Sequence, residues 1–280
     1  MVKFIIDSAA DVLPCECERL GVTHVPLKVL FGSAEYRDGV DLTHEAFYEK
    51  LAESDVLPTT SQVSPAEFAD ALQPLVAAGH EVVVITLSGK LSGTYQSACI
   101  AAADFEGVYV VDSLSVSLGE RILLQRGLVL AEGGMDAAQI AATLYAEKTK
   151  VRVLALLDTL EYLKKGGRIS AATALAGSLL SIKPVIALHD GAVTMVGKAR
   201  GSRQGNNLLR QLVEKYGGID FSRPYCVAYS GLSDALMNQY ILDSSQLYRD
   251  HEAQLQTASV GCTIGTHVGP GVVAVTFFQN

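Results

Sequence analysis

The feature that most constrains the fold is an alternation of short apolar segments with helical patterns in the first half of the chain. The predicted elements are strands at 2–6, 81–87 and 108–111 and helices at 65–78, 94–104, 117–132 and 136–149. Strands that alternate with helices of this length form parallel sheets, because each helix returns the chain to the same edge. We therefore predict a doubly wound, mostly parallel sheet for residues 1–150. A further strand at 23–31 contains Pro26, which confines it to an edge or a bulge.

The second half of the chain has a different pattern. A strand at 151–157 and a helix of small residues at 170–181 precede two strands that flank Asp190-Gly191, a dipeptide typical of two-residue hairpins. We predict a second α/β unit over 151–280 with a mixed or antiparallel sheet. Its final strand, at 272–278, is a candidate to lie at the interface between the two units. With 280 residues the chain forms either two domains or one large α/β unit.

Composition excludes several classes of function. Hydrophobic residues make up 49% of the chain and the mean hydropathy is +0.26, which predicts buried strands and leaves room for an interior lined for an apolar ligand. The net charge of -8 argues against a nucleic-acid partner. The 5 cysteines are scattered and lack the spacing of a metal site, so we expect them to be reduced thiols. No apolar run is long enough for an integral membrane segment, and we expect a cytoplasmic protein.

Two hydroxyl-rich segments lie beside predicted helix starts. Ser92 sits at or just before the helix that begins near Thr94, where free backbone N–H groups favour an anion. Ser64 caps the helix at 65–78 by itself, so Thr60 and Ser61 have no local structural task and are either solvated or part of a binding loop. Together the two helix starts could bind one carboxylate or phosphate.

His267 lies in a glycine-rich segment, 265–271, which we interpret as a loop that brings the histidine to a ligand. A serine with a histidine also permits nucleophilic hydrolysis, and a Ser/His esterase that uses Ser92 and His267 is the alternative function. The sequence offers no clear acidic partner for the histidine and no strained Gly-x-Ser-x-Gly turn, so a binding role needs fewer assumptions. A small-anion binder with a short polar pocket is a third hypothesis.

The sequence contains no complete nucleotide-binding or metal-binding motif. Gly89-Lys90 lacks the glycine and the hydroxyl residue of a phosphate loop, and 269–274 precedes a strand and contains proline, unlike a dinucleotide fingerprint. Two basic clusters remain, around Arg168 and around Arg200, and they form either a solvated face or a surface for an anionic partner.

Several short segments match one known family along nearly the whole chain. They are Asp7-Ser8, Thr60-Ser61-Gln62, residues 91–98 and 158–169, Ile182-Lys183-Pro184, Lys198-Ala199-Arg200-Gly201 and His267-Val268-Gly269-Pro270-Gly271. In this combination and order the chain resembles the DegV family. One departure is Val63, where the family often has proline.

The resemblance implies a two-domain α/β protein that holds a long-chain fatty acid, such as palmitate, stearate or oleate, in a cleft between its domains. It implies no cofactor and no turnover by this chain alone. A separate ATP-binding fatty acid kinase subunit of the bacterium would phosphorylate the carboxylate, and the acyl phosphate would enter phospholipid synthesis.

The resemblance also implies roles for individual residues. Thr60 and Ser92 would hold the carboxylate with His267 as a third partner, and Ser61, Gly93 and Thr94 would lie in the same site. Arg168 and Arg200 would be the cations that meet the kinase or the phosphate.

Overall fold

A computed structural model describes residues 1–169 and 182–280. Its strands are β1 Val2–Asp7, β2 Val22–Val25, β3 Lys28–Phe31, β4 Ala34–Arg37, β5 Thr59–Ser61, β6 Glu81–Thr86, β7 Val108–Asp112, β8 Val151–Leu156, β9 Ile182–His189, β10 Ala192–Arg200, β11 Tyr225–Tyr229, β12 Gln256–Ser259 and β13 Val273–Phe278. Its helices are α1 Pro14–Leu20, α2 His44–Glu53, α3 Pro65–Ala77, α4 Thr94–Ala102, α5 Leu118–Glu132, α6 Ala137–Glu147, α7 Glu161–Lys165, α8 Gly201–Lys215, α9 Ala235–Asp243 and α10 Cys262–Val268. The helix predicted at 170–181 lies outside the described residues.

The first half of the chain builds a four-stranded sheet in the order β2-β1-β6-β7, with every neighbouring pair parallel. Its two central strands are apolar on both faces, and Ile5 and Val84 have no exposed surface. Ser64 begins α3 as predicted: its hydroxyl accepts the Glu67 N–H, and the Glu67 carboxylate accepts the Ser64 N–H at 2.7 Å. Because the strands are parallel, Asp7 and Asp112, which end β1 and β7, both lie at the carboxyl end of the sheet.

The prediction of one strand at 23–31 is wrong in one respect, because these residues form two strands that belong to different sheets. Pro26 separates them: β2 joins the parallel sheet, and β3 forms the centre of a three-stranded antiparallel sheet in the order β4-β3-β5. Residues 59–61, predicted as a loop, are the edge strand β5 of that sheet. The first half thus contains antiparallel pairing that the sequence pattern did not indicate, since these strands are only three or four residues long and β5 contains no apolar residue.

The second half builds a six-stranded mixed sheet in the order β10-β9-β8-β13-β11-β12. The Asp190-Gly191 hairpin joins β9 and β10 as predicted, and both residues have positive φ, 48° and 79°. The last strand, β13, lies between β8 and β11 and is antiparallel to both. The C-terminal segment therefore occupies the middle of this sheet.

Helix α5 packs between the two larger sheets. Leu118, Ile122 and Leu123 on this helix are fully buried in the main hydrophobic core, which takes residues from both sheets. A second core lies on the opposite face of the six-stranded sheet under α8 and α9. The structure confirms the predicted α/β class with a parallel first sheet and a mixed second sheet. The division at residue 150 stays a prediction, and the shared core shows that the two halves pack against each other.

No helix in the described ranges, 1–169 and 182–280, combines the length and the apolar character that crossing a membrane requires.

Candidate functional site

A largely apolar cavity of about 330 Å³ lies between α5, the six-stranded sheet and α10. A volume of this size falls in the range of small-molecule sites. Its apolar lining comes from Leu27, Leu87, Leu91, Val116, Leu118, Val153, Ala155, Leu163, Ile186, Ala187, Leu188, Val193, Val260, Ile264, Val268, Val272 and Ala274. Its hydrogen-bonding lining comes from Thr60, Ser61, Gln62, Ser92, Gly93, Ser117, Arg168, Thr263, His267 and Thr276.

Strand β5 brings Thr60 to the cavity. Thr60 pairs with Val29 of β3, and the alternation of side chains along a strand leaves Thr59 and Ser61 more exposed than Thr60. The Thr60 hydroxyl lies 2.8 Å from Nε2 of His267 on α10. Residues 207 positions apart in the chain therefore meet at one polar cluster.

The turn before α4 brings Ser92 to the same cavity. Gly93 is the residue that caps α4, and Ser92 precedes it, in agreement with the predicted helix start. The Ser92 hydroxyl lies 2.9 Å from the Thr94 hydroxyl and accepts the Thr94 N–H at 3.3 Å. The buried Thr94 thus orients Ser92 and does not itself line the cavity. A side chain at Gly93 would overlap Gln62, so glycine permits this close approach.

His267 lies in the last turn of α10, and the predicted loop at this position is wrong. Packing explains the nearby Gly265, because a side chain there would meet the Phe47 ring and the Tyr48 hydroxyl at 2.7 Å. Burial, and then the nearby Arg168 guanidinium, lowers the pKa of His267 to about 4. The imidazole is therefore neutral near pH 7.

The surroundings of His267 assign its proton. Its Nδ1 is buried against Gly166 and has no hydrogen-bond partner among the described residues. A proton on Nδ1 would leave a buried donor unsatisfied, so the favoured tautomer carries the proton on Nε2 and donates it to the Thr60 oxygen. The Thr60 hydroxyl proton is then free to be donated to a ligand.

Arg168 also lines the cavity and stabilises the serine turn. Its Nε donates to the Leu91 carbonyl at 3.1 Å, and its Nη1 donates to the Gly166 carbonyl at 2.6 Å. The half-buried guanidinium has no carboxylate within 4.0 Å in the described part of the chain. Arg168 therefore adds positive charge next to Ser92. Arg200, by contrast, is exposed at the end of β10 and does not line the cavity.

Two buried carboxylates hold the start of α10. Asp38 accepts the N–H groups of Cys262 at 3.2 Å and Thr263 at 2.9 Å, and Asp11 accepts the Gly261 N–H at 2.9 Å. Asp11 also accepts the Ser117 hydroxyl, next to the start of α5. The first N–H groups of a helix have no partner within the helix, so these contacts fix the helix that carries His267 against the first half of the chain.

The fold and the site together define an α/β protein with two large sheets and one small sheet, an interior apolar cavity and a cluster of hydrogen-bonding side chains. The model of the DegV family, whose members it describes as uncharacterised, matches residues 1–280. The chain belongs to the DegV family.

Known relatives cover the whole chain. A DegV domain-containing protein of Deinococcus radiodurans is 34% identical over 279 residues, which are 98% of this chain and 97% of the relative. A structure described as fatty acid binding of a DegV family protein from Thermus thermophilus has a TM-score of 0.88 and 32% identity, and covers 100% of this chain and 99% of that chain. A stearic acid-binding protein from Eubacterium ventriosum has a TM-score of 0.86 and 28% identity, with 99% and 97% covered.

Sequence reasoning missed three residues that the site depends on. Asp11 and Asp38 lie in segments without a motif, and their contacts with α10 span more than 220 positions, so no local signal indicates them. Thr263 lines the cavity one helical turn before His267. Its i, i+4 spacing from the histidine would have pointed to it if residues 262–268 had been read as a helix.

Burial of several carboxyl groups makes the stability of the fold sensitive to pH. Desolvation raises the pKa of Asp7 to about 7 and of Asp11 to about 8, and it raises the pKa of Glu120 well above its usual range. In the folded state these carboxyl groups keep their protons at pH values at which the same groups in the unfolded chain have already released them. The free energy of unfolding therefore falls as pH rises from the unfolded pKa of an aspartate through the folded value.

We predict that the free energy of unfolding falls between about pH 7.5 and about pH 8.5. Burial lowers the pKa of His24, His44 and His267, and this range lies above the pKa of an unfolded histidine, so these groups no longer change the slope. A group that stays fully protonated in the folded state contributes about 1.4 kcal/mol per pH unit, and Asp11, half-protonated near its pKa of about 8, contributes about half of that across this range. Asp11→Asn removes one such group and should flatten the slope, as measured by urea unfolding across this range. Asp136→Asn, at an exposed helix cap, is the control and should leave the slope unchanged. An equal slope for Asp11→Asn and the unsubstituted protein would contradict the account.

Proposed function

We propose that this protein binds one long-chain fatty acid, with the carboxylate at the polar cluster and the acyl chain in the apolar cavity. The observation that carries the proposal is the joining of Thr60, Ser92 and His267 at one cavity that is otherwise mostly apolar. The relatives described as binding fatty acids, or stearic acid, share the fold over nearly the whole chain. Palmitate, stearate and oleate are suitable ligands.

Burial of the tail supplies most of the affinity in this proposal. An acyl chain of ~16 carbons would gain roughly 0.8 kcal/mol for each buried methylene, or about 12 kcal/mol before the cost of association. Apolar burial has no preferred direction, so it does not determine which end of the ligand enters a given part of the cavity.

The polar cluster supplies the orientation. A carboxylate taken out of water needs charge-assisted hydrogen bonds. In the proposed complex the Thr60 and Ser92 hydroxyls donate to it, the α4 N-terminus and Arg168 provide positive potential, and His267 acts through Thr60. Ser61 and Gly93 border the same position. Because His267 stays neutral, the binding of the head group should persist through the range in which an ordinary histidine titrates.

Substitution of Thr60 by valine tests the head-group contact. Thr60→Val keeps the shape of the side chain and the strand propensity but removes the hydroxyl donor. We expect the Kd for oleate to rise roughly ten- to a hundredfold, since a hydrogen bond to a charged group contributes ~1.5–3 kcal/mol. Fluorescence competition or calorimetry with delipidated protein measures the change.

The matched control is Thr59→Val on the same strand, where the side chain is exposed and does not line the cavity. It should bind oleate like the unsubstituted protein. Equal affinities for all three proteins would refute the role of Thr60, and an equal loss for both variants would point to damage of the strand instead.

We further propose that the bound carboxylate is presented to a separate ATP-binding kinase subunit, which forms an acyl phosphate for phospholipid synthesis in the bacterial cytoplasm. The support is the resemblance in the sequence motifs, together with the position of Arg200 on the surface outside the cavity. Arg203 follows Arg200 in the first turn of α8, so the two exposed cations lie close together. In this proposal the chain carries the substrate and performs no turnover alone.

Arg200→Ala should leave the Kd for oleate unchanged and lower the rate of acyl-phosphate formation when the kinase subunit and ATP are added. The physical reason is that Arg200 does not line the cavity and is exposed to an anionic partner. Arg249→Ala, at another exposed arginine, serves as the control. A weaker Kd for oleate in Arg200→Ala, or a rate equal to that of the control, would contradict this role.

The Ser/His esterase is the weaker candidate on geometric grounds. A nucleophilic serine needs its hydroxyl within hydrogen-bond reach of the base. In the structure Ser92 contacts Thr94, whereas Nε2 of His267 contacts Thr60, and the other ring nitrogen packs against Gly166. This arrangement favours the holding of a carboxylate over the activation of Ser92.

A further inference from the structure

A second cleft, of about 180 Å³, lies on the other side of the segment that connects β7 to α5. Leu114 and Ser115 of this segment line the second cleft, whereas Val116 and the residues after it line the apolar cavity. The rest of the second cleft comes from the start of β8, the β9–β10 hairpin, Lys148 and Tyr216. Unlike the first cavity, it contains two basic side chains.

These two cations, Lys148 and Arg152, are fixed in place by hydrogen bonds to backbone carbonyls. Lys148 is 7% exposed, and its Nζ donates to the Asp112 carbonyl at 2.8 Å. Arg152 donates from Nη1 to the carbonyls of Thr149 at 2.8 Å and Val151 at 3.1 Å, and its guanidinium lies 5.8 Å from the centre of the Tyr216 ring. Lys148 Nζ also lies 4.0 Å from the centre of the Tyr145 ring, so both positive charges are held in fixed positions beside the cleft.

Neither cation forms an ion pair with a described residue. Two other half-buried cations differ in this respect: Arg126 pairs with Glu147 at 2.9 Å, and Arg223 pairs with the same carboxylate at 2.8 Å. Within residues 1–169 and 182–280 no carboxylate lies within 4.0 Å of Lys148 or Arg152, and residues 170–181 contain no aspartate or glutamate.

Burial acts on both groups. Desolvation lowers the pKa of Lys148 and of Arg152. Asp112 opposes the shift at Lys148, and Tyr216 and then Asp190 oppose it at Arg152, in each case only in part. Asp190 instead lies 3.3 Å from His189 at the hairpin, and both side chains are more than 70% exposed. An uncompensated charge out of water is costly, and a bound anion would remove that cost.

We propose that this cleft is a binding site for a phosphate group, either free phosphate or a phosphate monoester, held between Lys148 and Arg152. A phosphate dianion matches two cations that line one cleft better than a carboxylate, which carries a single charge. The apolar wall at Leu114 and Leu188 leaves room for the organic part of an ester. The site is separate from the polar cluster of the first cavity and does not depend on the proposed fatty acid function.

Calorimetry with the full-length protein tests the site, using inorganic phosphate, phenyl phosphate and acetate as probes at low ionic strength. Saturable phosphate binding at one site per chain is expected, with acetate at least tenfold weaker. Tighter binding of phenyl phosphate would identify an ester as the ligand, and tighter binding of free phosphate would identify the ion itself. No saturable phosphate binding, or acetate binding of equal strength, would overturn the proposal.

Two variants separate the site from nonspecific charge effects. Lys148→Met keeps the apolar stem and should weaken phosphate at least tenfold, whereas Lys150→Met, at an exposed position two residues away, should not. Arg152→Lys keeps the charge but loses the planar fork, so it tests the site even if Lys148→Met fails to fold. Equal binding by Arg152→Lys and the unsubstituted protein, or equal losses for Lys148→Met and Lys150→Met, would also overturn the proposal.

Discussion

The hydrogen bonds from the start of α10 to Asp11 and Asp38 hold the polar cluster together. Without them the N–H groups of a buried helix end would lack partners, and the helix that carries His267 would have no fixed position relative to β5. The same Asp11 carboxylate accepts the Ser117 hydroxyl beside α5, the helix that packs between both sheets. One pair of buried acids therefore couples the core to the site, and the raised pKa of Asp11 shows that burial opposes its ionisation.

The proposed division of labour in the cavity follows from the physics of its two parts. The apolar walls on β8, β9 and β13 provide affinity in proportion to the buried area, whereas the hydroxyls of Thr60 and Ser92 provide direction. The neutral His267 adds no charge that would have to be desolvated, and Arg168 adds positive potential while its hydrogen bonds fix the Leu91 carbonyl. This combination suits a ligand with one anionic end and a long apolar remainder.

Local signals in the sequence predicted local structure well. The capping pair Ser64 and Glu67, the Asp190-Gly191 turn and the start of α4 after Ser92 are all formed as the residue types require. The motifs also singled out Thr60, Ser92 and His267, which the structure brings to one cavity. Contacts between distant parts of the chain determine the secondary structure at Thr60 and His267, which the sequence did not predict. Thr60 lies in an edge strand because β3 is available to pair with it, and His267 lies in a helix because Asp38 caps that helix from 225 positions away. No window of sequence contains those partners.

Mass spectrometry of the ligand extracted from the purified protein under denaturing conditions tests the central claim most directly. If the cavity and its polar cluster form a fatty acid site, the extract should contain close to one long-chain fatty acid per chain, and delipidated protein should take up palmitate or oleate to the same ratio. An extract without fatty acid, together with a failure to bind either added acid, would contradict the account.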